Sequence, residues 1–508
     1  MLTAHSLEQS QTDIGGVMSN FYAELERGFA ANAGGEALRF QDGSSWRYGQ
    51  LLRRVEQIGQ VLVDHEVGPG DRVMAQVEKS ADNLALYLAT LKVGAIFVPL
   101  NTAYTEAEKQ YFIEDAKPRL FVGETHACAS LTLNPDGTGS LAEQADTVVA
   151  AALPTVPRAA HDLAAILYTS GTTGRSKGAM LSHQNLASNA HNLCTAWGWQ
   201  PDDVLLNALP IFHVHGLFIA SHCALLQATP MIFLPKFDQE HVFAALAEST
   251  VLMGVPTFYT RLLQHPDLTP DYVSHMRVFI CGSAPLTEPT FAAWKTRTGH
   301  RILERYGMSE TIINTTNPLV GDRVPGTVGY ALPGQEARIT NAAGEVLPYG
   351  DVGNIEVRGP NVFQGYWQMP DKTAEDMRSD GFFITGDLGL QESDGRISIV
   401  GRAKDLVISG GYNVYPKEVE RLLDELPEVQ ESAVIGVPHD DFGEAVVAVV
   451  VASTEPCELA ALNAQLQDTL ARFKQPKAVV NVAELPRNTM GKVQKNLLRD
   501  RFADLFAS

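Results

Sequence analysis

Small polar residues and one lysine are concentrated in residues 168–178, which read YTSGTTGRSKG. Glycines and hydroxyl-bearing residues let backbone N–H groups approach phosphate oxygens closely, and Lys177 adds a positive charge. The run is not a Walker loop, because Ser176 stands where a loop starting at Gly171 needs its second glycine. We predict that this run binds phosphate groups.

The segments around this loop predict the sheets that must position it. An apolar strand at residues 163–168 precedes the loop, and a helix is predicted to begin near Ser182. Strands and helices alternate upstream, at residues 72–77, 83–93, 95–99, 106–114 and 120–122. Such alternation indicates parallel sheets that are covered by helices on both faces.

The pattern changes twice further along the chain. From about residue 325, Gly, Pro and short strands become frequent, and beyond residue 402 predicted helices and strands follow each other again. The sequence therefore predicts an α/β protein. Its large N-terminal domain, residues 19–402, would consist of stacked α/β sheets and a β-rich subdomain from about residue 325. A small α+β C-terminal domain would span residues 403–508, and residues 1–18 would form a flexible tail.

Composition excludes several classes of protein. The chain has 59 acidic residues and 39 Lys or Arg, a formal net charge of −20, which argues against a nucleic-acid-binding protein. A hydrophobic fraction of 45% excludes a mostly disordered chain. The five cysteines form no CxxC pair, so we expect buried free thiols and a reducing compartment.

The sequence also predicts a location. No stretch approaches the ~18 consecutive apolar residues of a membrane helix. The N-terminus carries Glu8 and Asp13 and no Lys or Arg before Arg27, unlike a secretory signal or a mitochondrial transit peptide. We therefore expect a cytoplasmic protein that binds neither membrane nor nucleic acid.

Five further strings follow the phosphate loop in a fixed order. They are residues 306–310 (YGMSE), 385–387 (TGD), 401–405 (GRAKD), 410–416 (GGYNVYP) and 486–492 (PRNTMGK). With these strings the chain resembles the adenylate-forming acyl-CoA synthetase superfamily over nearly its whole length. The resemblance implies that a carboxylate and ATP give an acyl-adenylate and pyrophosphate. The CoA thiol would then attack the adenylate, giving a thioester and AMP, with magnesium as the metal.

The resemblance also implies roles for individual residues. Lys492 would bridge the attacking carboxylate and the α-phosphate, Lys177 would serve the departing phosphates, and Glu310 would bind magnesium. Asp387 would accept hydrogen bonds from the ribose hydroxyls, and Arg402 would reach the phosphate or the ribose. The implied ATP- and AMP-binding residues are Thr169, Ser170, Gly171, Thr172, Thr173, Gly174, Lys177, Tyr306, Gly307, Ser309, Asp387 and Arg402.

The same resemblance implies a moving C-terminal domain. Lys404 would be the hinge, and Gly410, Gly411 and Tyr412 would line the CoA tunnel. His213, in the string LPIFHVHGL at residues 209–217, would lie beside the acyl pocket and the thiolation route. A histidine in an apolar run is also compatible with a purely structural role, and that alternative is stronger for His215. Glu310, Asp387 and Arg402 could likewise be a surface acid, a turn cap and an ion-pair partner.

Two arginines indicate which carboxylic acid is the substrate. Arg261 follows an apolar strand and Arg305 immediately precedes Tyr306, whereas pockets for long-chain or aryl acids are mostly apolar. An arginine pair suggests a second carboxylate on the substrate, although each arginine could instead pair with an acid of the protein such as Glu304. The strings at residues 255–259, 282–285 and 304–310 resemble malonyl-CoA synthetases. In that family, residues at the positions of Arg261, Ser283 and Arg305 hold the distal malonate carboxylate.

The sequence thus predicts a malonate–CoA ligase that also uses methylmalonate. Its small-molecule partners would be malonate, ATP and CoA. A lysine acetyltransferase that modifies Lys492 is a further possible partner. The alternatives are a ligase for short- or medium-chain monocarboxylates, an inactive adenylate-binding protein, and a peptide-synthetase module with a separate carrier protein.

Overall fold

Four β-sheets organise the residues that the computed structural model describes, which are 20–124, 129–149, 152–169, 176–488 and 491–506. The predicted tail, residues 1–18, lies outside this part of the chain. So does the centre of the predicted phosphate loop, residues 170–175. No helix in the described part is both long and apolar enough to cross a bilayer.

The strands of the four sheets follow in chain order. They are β1 (Glu36–Arg39), β2 (Ser45–Arg47), β3 (Arg72–Ala75), β4 (Ile96–Pro99), β5 (Leu120–Val122), β6 (Ser130–Leu131), β7 (Leu163–Thr169), β8 (Lys177–Ser182), β9 (Leu205–Asn207), β10 (Met231–Phe233), β11 (Val251–Gly254), β12 (Val278–Cys281), β13 (Leu303–Tyr306), β14 (Thr315–Thr316), β15 (Tyr330–Ala331), β16 (Glu336–Thr340), β17 (Gly353–Arg358), β18 (Phe383–Gln391), β19 (Ile397–Arg402), β20 (Val407–Ser409), β21 (Tyr412–Val414), β22 (Val429–His439), β23 (Gly443–Ala452) and β24 (Ala478–Asn481).

The α-helices lie between these strands. They are α1 (Phe21–Ala31), α2 (Tyr48–Asp64), α3 (Ala81–Lys92), α4 (Glu106–Ala116), α5 (Ser140–Thr147), α6 (His183–Ala196), α7 (His222–Gln227), α8 (Gln239–Leu246), α9 (Pro256–Leu262), α10 (Glu288–Thr298), α11 (Pro370–Asp376), α12 (Pro416–Asp424), α13 (Leu459–Leu466) and α14 (Lys495–Arg501). The segment His215–Ser221 is π-helical and Ala403–Asp405 is a 3₁₀ turn.

Two largely parallel sheets form the body of the N-terminal domain, as predicted. One has the order β15-β14-β13-β12-β11-β9-β10-β1-β2 and is parallel from β13 to β1. The other has the order β6-β5-β3-β4-β7-β8, and only the β7–β8 pair is antiparallel. Because side chains alternate along a strand, Val73 and Phe97 join the main core, whereas Met74 and Val98 pack on the opposite face with α4. Every residue of α3 is buried.

The remaining two sheets confirm the predicted change of pattern. Strands β16 to β19 form an antiparallel sheet, which is the expected β-rich region. Strands β20 to β24 form the sheet of a small C-terminal domain, with α12 and α13 on one face and α14 on the other. The division at residue 402 stays a prediction; it lies at the end of β19, before the turn that leads to β20.

Two local features refine the sequence predictions. Helix α6 begins at His183, where the Ser182 side chain accepts a hydrogen bond from the backbone N–H of Asn185. The phosphate loop does not lead directly into this helix, however, because β8 intervenes. The cysteines within the described residues, Cys194, Cys223, Cys281 and Cys457, are buried free thiols, as predicted.

Candidate active site

Four neighbouring strands of the large sheet end at one edge of the N-terminal domain. Strands β9, β11, β12 and β13 are adjacent and parallel, so their carboxyl ends lie together. In open α/β sheets this edge is where ligands bind. Three of these strands lead into segments that carry predicted acid-site residues, namely His213 after β9, Arg261 after β11 and Ser283 after β12, and Arg305 lies within β13.

Arg305 is a buried guanidinium that forms no ion pair with any of the described residues. Its exposure is 4%, and no partner within the described residues bonds its Nε or Nη2. Burial lowers the pKa of Arg305 to about 10, so the group remains positively charged at neutral pH. A Cβ atom on Gly282 would lie 2.5 Å from the Arg305 Cζ, so the guanidinium packs directly on the backbone at the end of β12. A buried, unpaired cation of this kind is costly unless an anion is bound beside it.

Ser283 and two histidines surround this arginine. The Ser283 hydroxyl hydrogen-bonds Nδ1 of His215 at 3.1 Å, and Ser283 has φ of 71°, a left-handed conformation that is uncommon for serine. The backbone N–H of His215 donates to Nδ1 of His213 at 3.2 Å. Desolvation and then the charge of Arg305 lower the pKa of both imidazoles, that of His213 to about 4. Both rings are therefore neutral at pH 7.

Arg261 lies apart from this buried cluster. It is exposed in the last turn of α9, and its guanidinium carbon is 5.6 Å from the ring centroid of Phe237. Phe237 lines a cavity of about 250 Å³ together with Phe212 and Lys79. The described contacts thus bring Arg305 and Ser283 to the same place, but no described contact joins Arg261 to either of them.

The predicted ribose site is built across two antiparallel strands. Asp387 in β18 lies opposite Arg402 in β19, and Arg402 Nε is 2.8 Å from Asp387 Oδ1. The Tyr306 hydroxyl donates to Asp387 Oδ2 at 2.5 Å. A carboxylate has about four lone-pair positions, so Asp387 keeps acceptor capacity for two further hydroxyls.

The predicted metal ligand Glu310 lies at the end of a tightly folded loop. A Cβ on Gly307 would lie 1.8 Å from the carbonyl oxygen of Ile312, so only glycine fits at the start of this loop, which also contains Ser309. Glu310 is 5% exposed, and burial raises the pKa of its carboxyl group. The hydroxyl of Tyr366 donates to Glu310 Oε1 at 3.1 Å.

Lys177 reaches the same region from the phosphate loop. Thr169 and Lys177 pair at the ends of β7 and β8, the two strands that flank the loop in sequence. Lys177 Nζ lies 4.2 Å from the ring centroid of Tyr366 and 3.9 Å from Asp376 Oδ2. The other loop residues, Ser170, Gly171, Thr172, Thr173 and Gly174, lie outside the described residues.

Lys492 belongs to the C-terminal domain yet lies at this cleft. Gly491 approaches the N-terminal domain closely, because a Cβ there would lie 3.3 Å from Thr257 Oγ1. Desolvation and the charge of Arg402 lower the pKa of Lys492 to about 8, against the attraction of Asp387. The side chain still has access to solvent, so it lies in an open cleft rather than in a core.

The predicted CoA loop and hinge occupy separate positions. Gly410 and Gly411 form the turn between β20 and β21 with positive φ, and Tyr412 is 58% exposed with its ring centroid 4.7 Å from that of Phe473. Lys404 lies in the 3₁₀ turn between β19 and β20. In this arrangement Lys492 is close enough to Asp387 and Arg402 for their charges to interact, whereas no described contact joins the CoA loop to these two residues.

Sequence reasoning missed three residues of the site, namely Tyr366, Asp376 and Gly282. Tyr366 contacts two predicted functional residues, Lys177 and Glu310. Its only signal in the sequence was the aromatic string at residues 363–367, FQGYW, which lies outside the motifs used. Gly282 adjoined the assigned Ser283, but its closeness to Arg305 depends on the pairing of β12 with β13.

Comparisons with known proteins show which family the chain resembles. The AMP-binding enzyme family matches residues 25–367, and the AMP-binding enzyme C-terminal domain matches residues 418–492. The chain is 33% identical to malonate–CoA ligase from Arabidopsis thaliana, over 90% of this chain and 85% of that protein. It is 34% identical to feruloyl-CoA synthase from an Amycolatopsis species, over 91% of this chain and 94% of that protein.

Comparison with solved structures also indicates which arrangement of the two domains this structure has. The crystal structure of ATP-bound MatB from Rhodopseudomonas palustris is 52% identical, with a TM-score of 0.94, and the match covers 96% of this chain and all of that chain. The apo structure of the same protein matches with equal identity and coverage but with a TM-score of 0.83. The arrangement with Lys492 at the cleft is therefore closer to the ATP-bound form. The family matches, taken with the site, show that the chain belongs to the AMP-binding enzyme family.

Proposed function

We propose that the protein is an ATP-dependent, AMP-forming malonate–CoA ligase. The observation that carries the choice of acid is the buried guanidinium of Arg305, whose Nε and Nη2 have no hydrogen-bond partner in the part of the chain that the structure describes. It lies at the sheet edge beside Ser283, where a distal carboxylate would satisfy both its charge and its N–H groups. Among the relatives, a malonate–CoA ligase supports this choice.

The first half-reaction joins two anions. A carboxylate oxygen of malonate attacks the α-phosphorus of ATP, and pyrophosphate leaves. Cations that face the developing charge lower the barrier in a cleft with little water. Lys492, which lies near Asp387 and Arg402, would stabilise the charge on the α-phosphate. Lys177, which lies against the ring of Tyr366, would stabilise the charge on the departing phosphates.

Magnesium fits the donor set at Glu310. Within the described residues no cluster of three or more His, Cys, Asp or Glu could hold a metal ion. Mg²⁺ in ATP sites is usually held by one or two carboxylates together with substrate phosphates and water. Glu310 supplies one such carboxylate, and a nearby cation would offset the burial that raises its pKa. When bound, the ion would neutralise phosphate charge.

The second half-reaction forms the thioester. The CoA sulfur attacks the acyl carbonyl, the thiol proton is released, and AMP leaves. The C-terminal domain would turn about Lys404 so that Gly410, Gly411 and Tyr412 replace Lys492 at the cleft. His213, held neutral by desolvation and by Arg305, would adjoin the route of the thiol.

Three finer points belong to the same proposal. Methylmalonate would be a second substrate, and the protein would work in the cytoplasm. Lys492 would be open to a lysine acetyltransferase, because its side chain keeps access to solvent. Acetylation would remove the charge that the first half-reaction needs.

A panel of acids tests the function. CoA-thiol consumption and pyrophosphate release are measured with malonate, methylmalonate, acetate, butyrate and ferulate, each with ATP and Mg²⁺. We expect the highest kcat/KM for malonate. A preference for acetate or butyrate would establish the monocarboxylate ligase instead, and the absence of ATP-dependent thiol consumption with every acid would indicate an inactive adenylate-binding protein.

Arg305→Ala tests the assignment of the pocket. Losing one partner of a buried, charged contact typically costs ~2–5 kcal/mol. At about tenfold per 1.4 kcal/mol, kcat/KM for malonate should fall roughly 30-fold to several thousand-fold. Butyrate has no distal charge, so its relative use should rise. Arg301→Ala, which removes an exposed arginine paired with Asp322, is the matched control and should leave both acids unaffected. An equal loss with malonate and butyrate would contradict the assignment.

A further inference from the structure

Tyr366 is a buried aromatic residue between two charged groups of the site. It is 3% exposed, its ring lies 4.2 Å from Lys177 Nζ, and its hydroxyl donates to Glu310 Oε1 at 3.1 Å. Lys177 comes from the phosphate loop and Glu310 from the loop after β13. One side chain therefore contacts functional residues from two motifs that are more than 130 residues apart in sequence.

The backbone around Tyr366 fixes the ring relative to β8. Gln364 donates to the carbonyl of Met180 at 2.8 Å, Met180 donates to the carbonyl of Gly365 at 3.0 Å, and Trp367 donates to the carbonyl of Gly178 at 2.8 Å. The segment thus lies along β8, which begins at Lys177, and forms an antiparallel bridge with it between Tyr366 and Ala179. The Tyr366 N–H also donates to Thr373 Oγ1 at 2.9 Å. These backbone bonds anchor the Tyr366 Cα to the strand that carries the lysine.

The contact with Lys177 holds an ammonium group that is otherwise weakly restrained. The ammonium lies near the face of the Tyr366 ring, an attractive cation–π arrangement, with the Asp376 carboxylate 3.9 Å away. The lysine side chain is still partly exposed, at 22%. It is therefore held in place and yet open to an incoming phosphate.

The contact with Glu310 restrains one oxygen of a buried carboxylate. The hydrogen bond from Tyr366 engages Oε1 and restrains the rotation of the group, while Oε2 is not engaged by this hydroxyl. Carboxylate oxygens are preferred ligands of Mg²⁺, which demands nearly ideal geometry and so depends on such positioning. Hydrogen-bonded partners of a ligand commonly tune metal affinity in this way.

We propose that Tyr366 is a positioning residue that sets the spacing between Lys177 and Glu310, and thereby aligns the phosphates of ATP with the divalent cation. Its hydroxyl acts on the metal ligand and its ring acts on the phosphate lysine. The inference rests on the proposed function only in that this site binds ATP with Mg²⁺. It does not depend on which acid is activated.

Two substitutions separate the two contacts. Tyr366→Phe removes the hydroxyl and keeps the ring, whereas Tyr366→Leu removes both. Equilibrium binding of ATP is measured calorimetrically in excess EDTA and across a Mg²⁺ titration, so that the readout is binding and not turnover. Tyr349→Phe, which changes an exposed tyrosine of the β-rich region, is the matched control.

The proposal gives a different result for each variant. For Tyr366→Phe we expect the ATP Kd in EDTA to stay within twofold of wild type, while the Mg²⁺ concentration for half-maximal effect rises about tenfold, as losing a ligand-orienting partner commonly does. For Tyr366→Leu we expect the Kd in EDTA to rise at least fivefold as well. In a Lys177→Met background, Tyr366→Leu should add no further loss in EDTA, because the ring then has no ammonium to hold.

Other results would overturn the proposal. A normal Mg²⁺ requirement in Tyr366→Phe would show that the hydroxyl has no role in positioning. Unchanged ATP binding in EDTA for Tyr366→Leu would show that the ring has none. If Tyr366→Leu does not fold, Tyr366→Phe in a Glu310→Gln background decides instead, since the hydroxyl should then have no effect on the Mg²⁺ requirement. Failure of wild-type protein to bind ATP would contradict the proposed function, whereas a wild type that prefers another acid leaves the role of Tyr366 untouched.

Discussion

At the residue scale, Lys492 should make the first half-reaction sensitive to pH. Desolvation and Arg402 lower its pKa to about 8 in the free protein, and only the protonated amine stabilises the anionic transition state. Because kcat/KM reports groups of the free enzyme, kcat/KM for ATP in malonate-dependent pyrophosphate exchange should fall as pH rises through about 8. In Lys492→Arg the charge persists, so the residual activity should stay flat from pH 7 to 9.5. A wild-type profile as flat as that of the arginine variant would contradict this role.

Lys492→Ala separates the two half-reactions. In the arrangement described above, the charge of Lys492 interacts with Asp387 and Arg402, and no described contact brings the CoA loop to these residues. Adenylation by the variant should therefore be lost by orders of magnitude, whereas synthetic malonyl-adenylate and CoA should still give malonyl-CoA. Stopped assays of each half-reaction measure this directly. Equal loss in both would mean that the lysine also serves thiolation, against the two-arrangement mechanism.

The sequence predicted residues whose chemistry is tied to a short local string. Glu310, Asp387 and Lys492 were predicted because each lies in such a string, and the structure brings all three to one cleft, while their roles stay predictions. Tyr366 could not be found in this way, because its role depends on pairing between residues 364–367 and β8. The joint role of Arg261 and Arg305 in binding the distal carboxylate stays a prediction. Both lie at the same sheet edge, but one guanidinium is buried and the other is exposed.

At the scale of elements, the short turn at Ala403–Asp405 is the proposed pivot. The turn joins β19, which carries Arg402 of the nucleotide site, to β20 of the C-terminal sheet. Proline fixes φ near −65°, which suits the first turn of a 3₁₀ helix but prevents other backbone angles. Lys404→Pro should therefore keep the arrangement with Lys492 at the cleft and block the other one.

In Lys404→Pro we expect the rate of adenylation to be retained and the rate of thioester formation to be lost. Malonate-dependent pyrophosphate exchange should remain near wild type, while thioester formation from supplied adenylate should fall strongly. Lys404→Ala, which removes the same side chain without restricting the backbone, is the control and should retain both. Normal rates for both steps in the proline variant would place the pivot elsewhere.

The order of elements was more predictable than their connections. Alternating strands and helices predicted parallel sheets, and the predicted elements at residues 72–77, 83–93 and 106–114 all have counterparts within a few residues. Strand β8 was missed, because the loop before it and the helix after it gave stronger signals. Its antiparallel pairing with β7 is what places Thr169 opposite Lys177.

At the scale of the whole molecule, Glu304 lies where the two domains meet. It is buried in β13, accepts a hydrogen bond from the backbone N–H of Leu286 at 3.3 Å, and is close enough to Lys417 of α12 for their charges to interact. Desolvation raises the pKa of Glu304 from 4.5 to about 7, against the opposing effect of Lys417 and with a smaller contribution from Glu288. Burying the ionised carboxylate is therefore unfavourable, even though a cation from the other domain faces it.

This raised pKa predicts how stability depends on pH. A carboxyl group whose pKa is higher in the folded than in the unfolded protein contributes stability below pH 4.5, and that contribution is lost progressively as pH rises to about 7. Glu304→Gln is neutral at every pH, so its thermal stability should exceed that of wild type at pH 8 by several degrees more than at pH 5. Lys417→Met removes the opposing cation, which should raise the pKa of Glu304 further. The loss of stability with rising pH should then continue above pH 7. Differential scanning calorimetry from pH 5 to 9 measures all three proteins. A Glu304→Gln difference independent of pH would mean that Glu304 titrates normally, and an unchanged profile in Lys417→Met would mean that no charge interaction couples the two domains at this point.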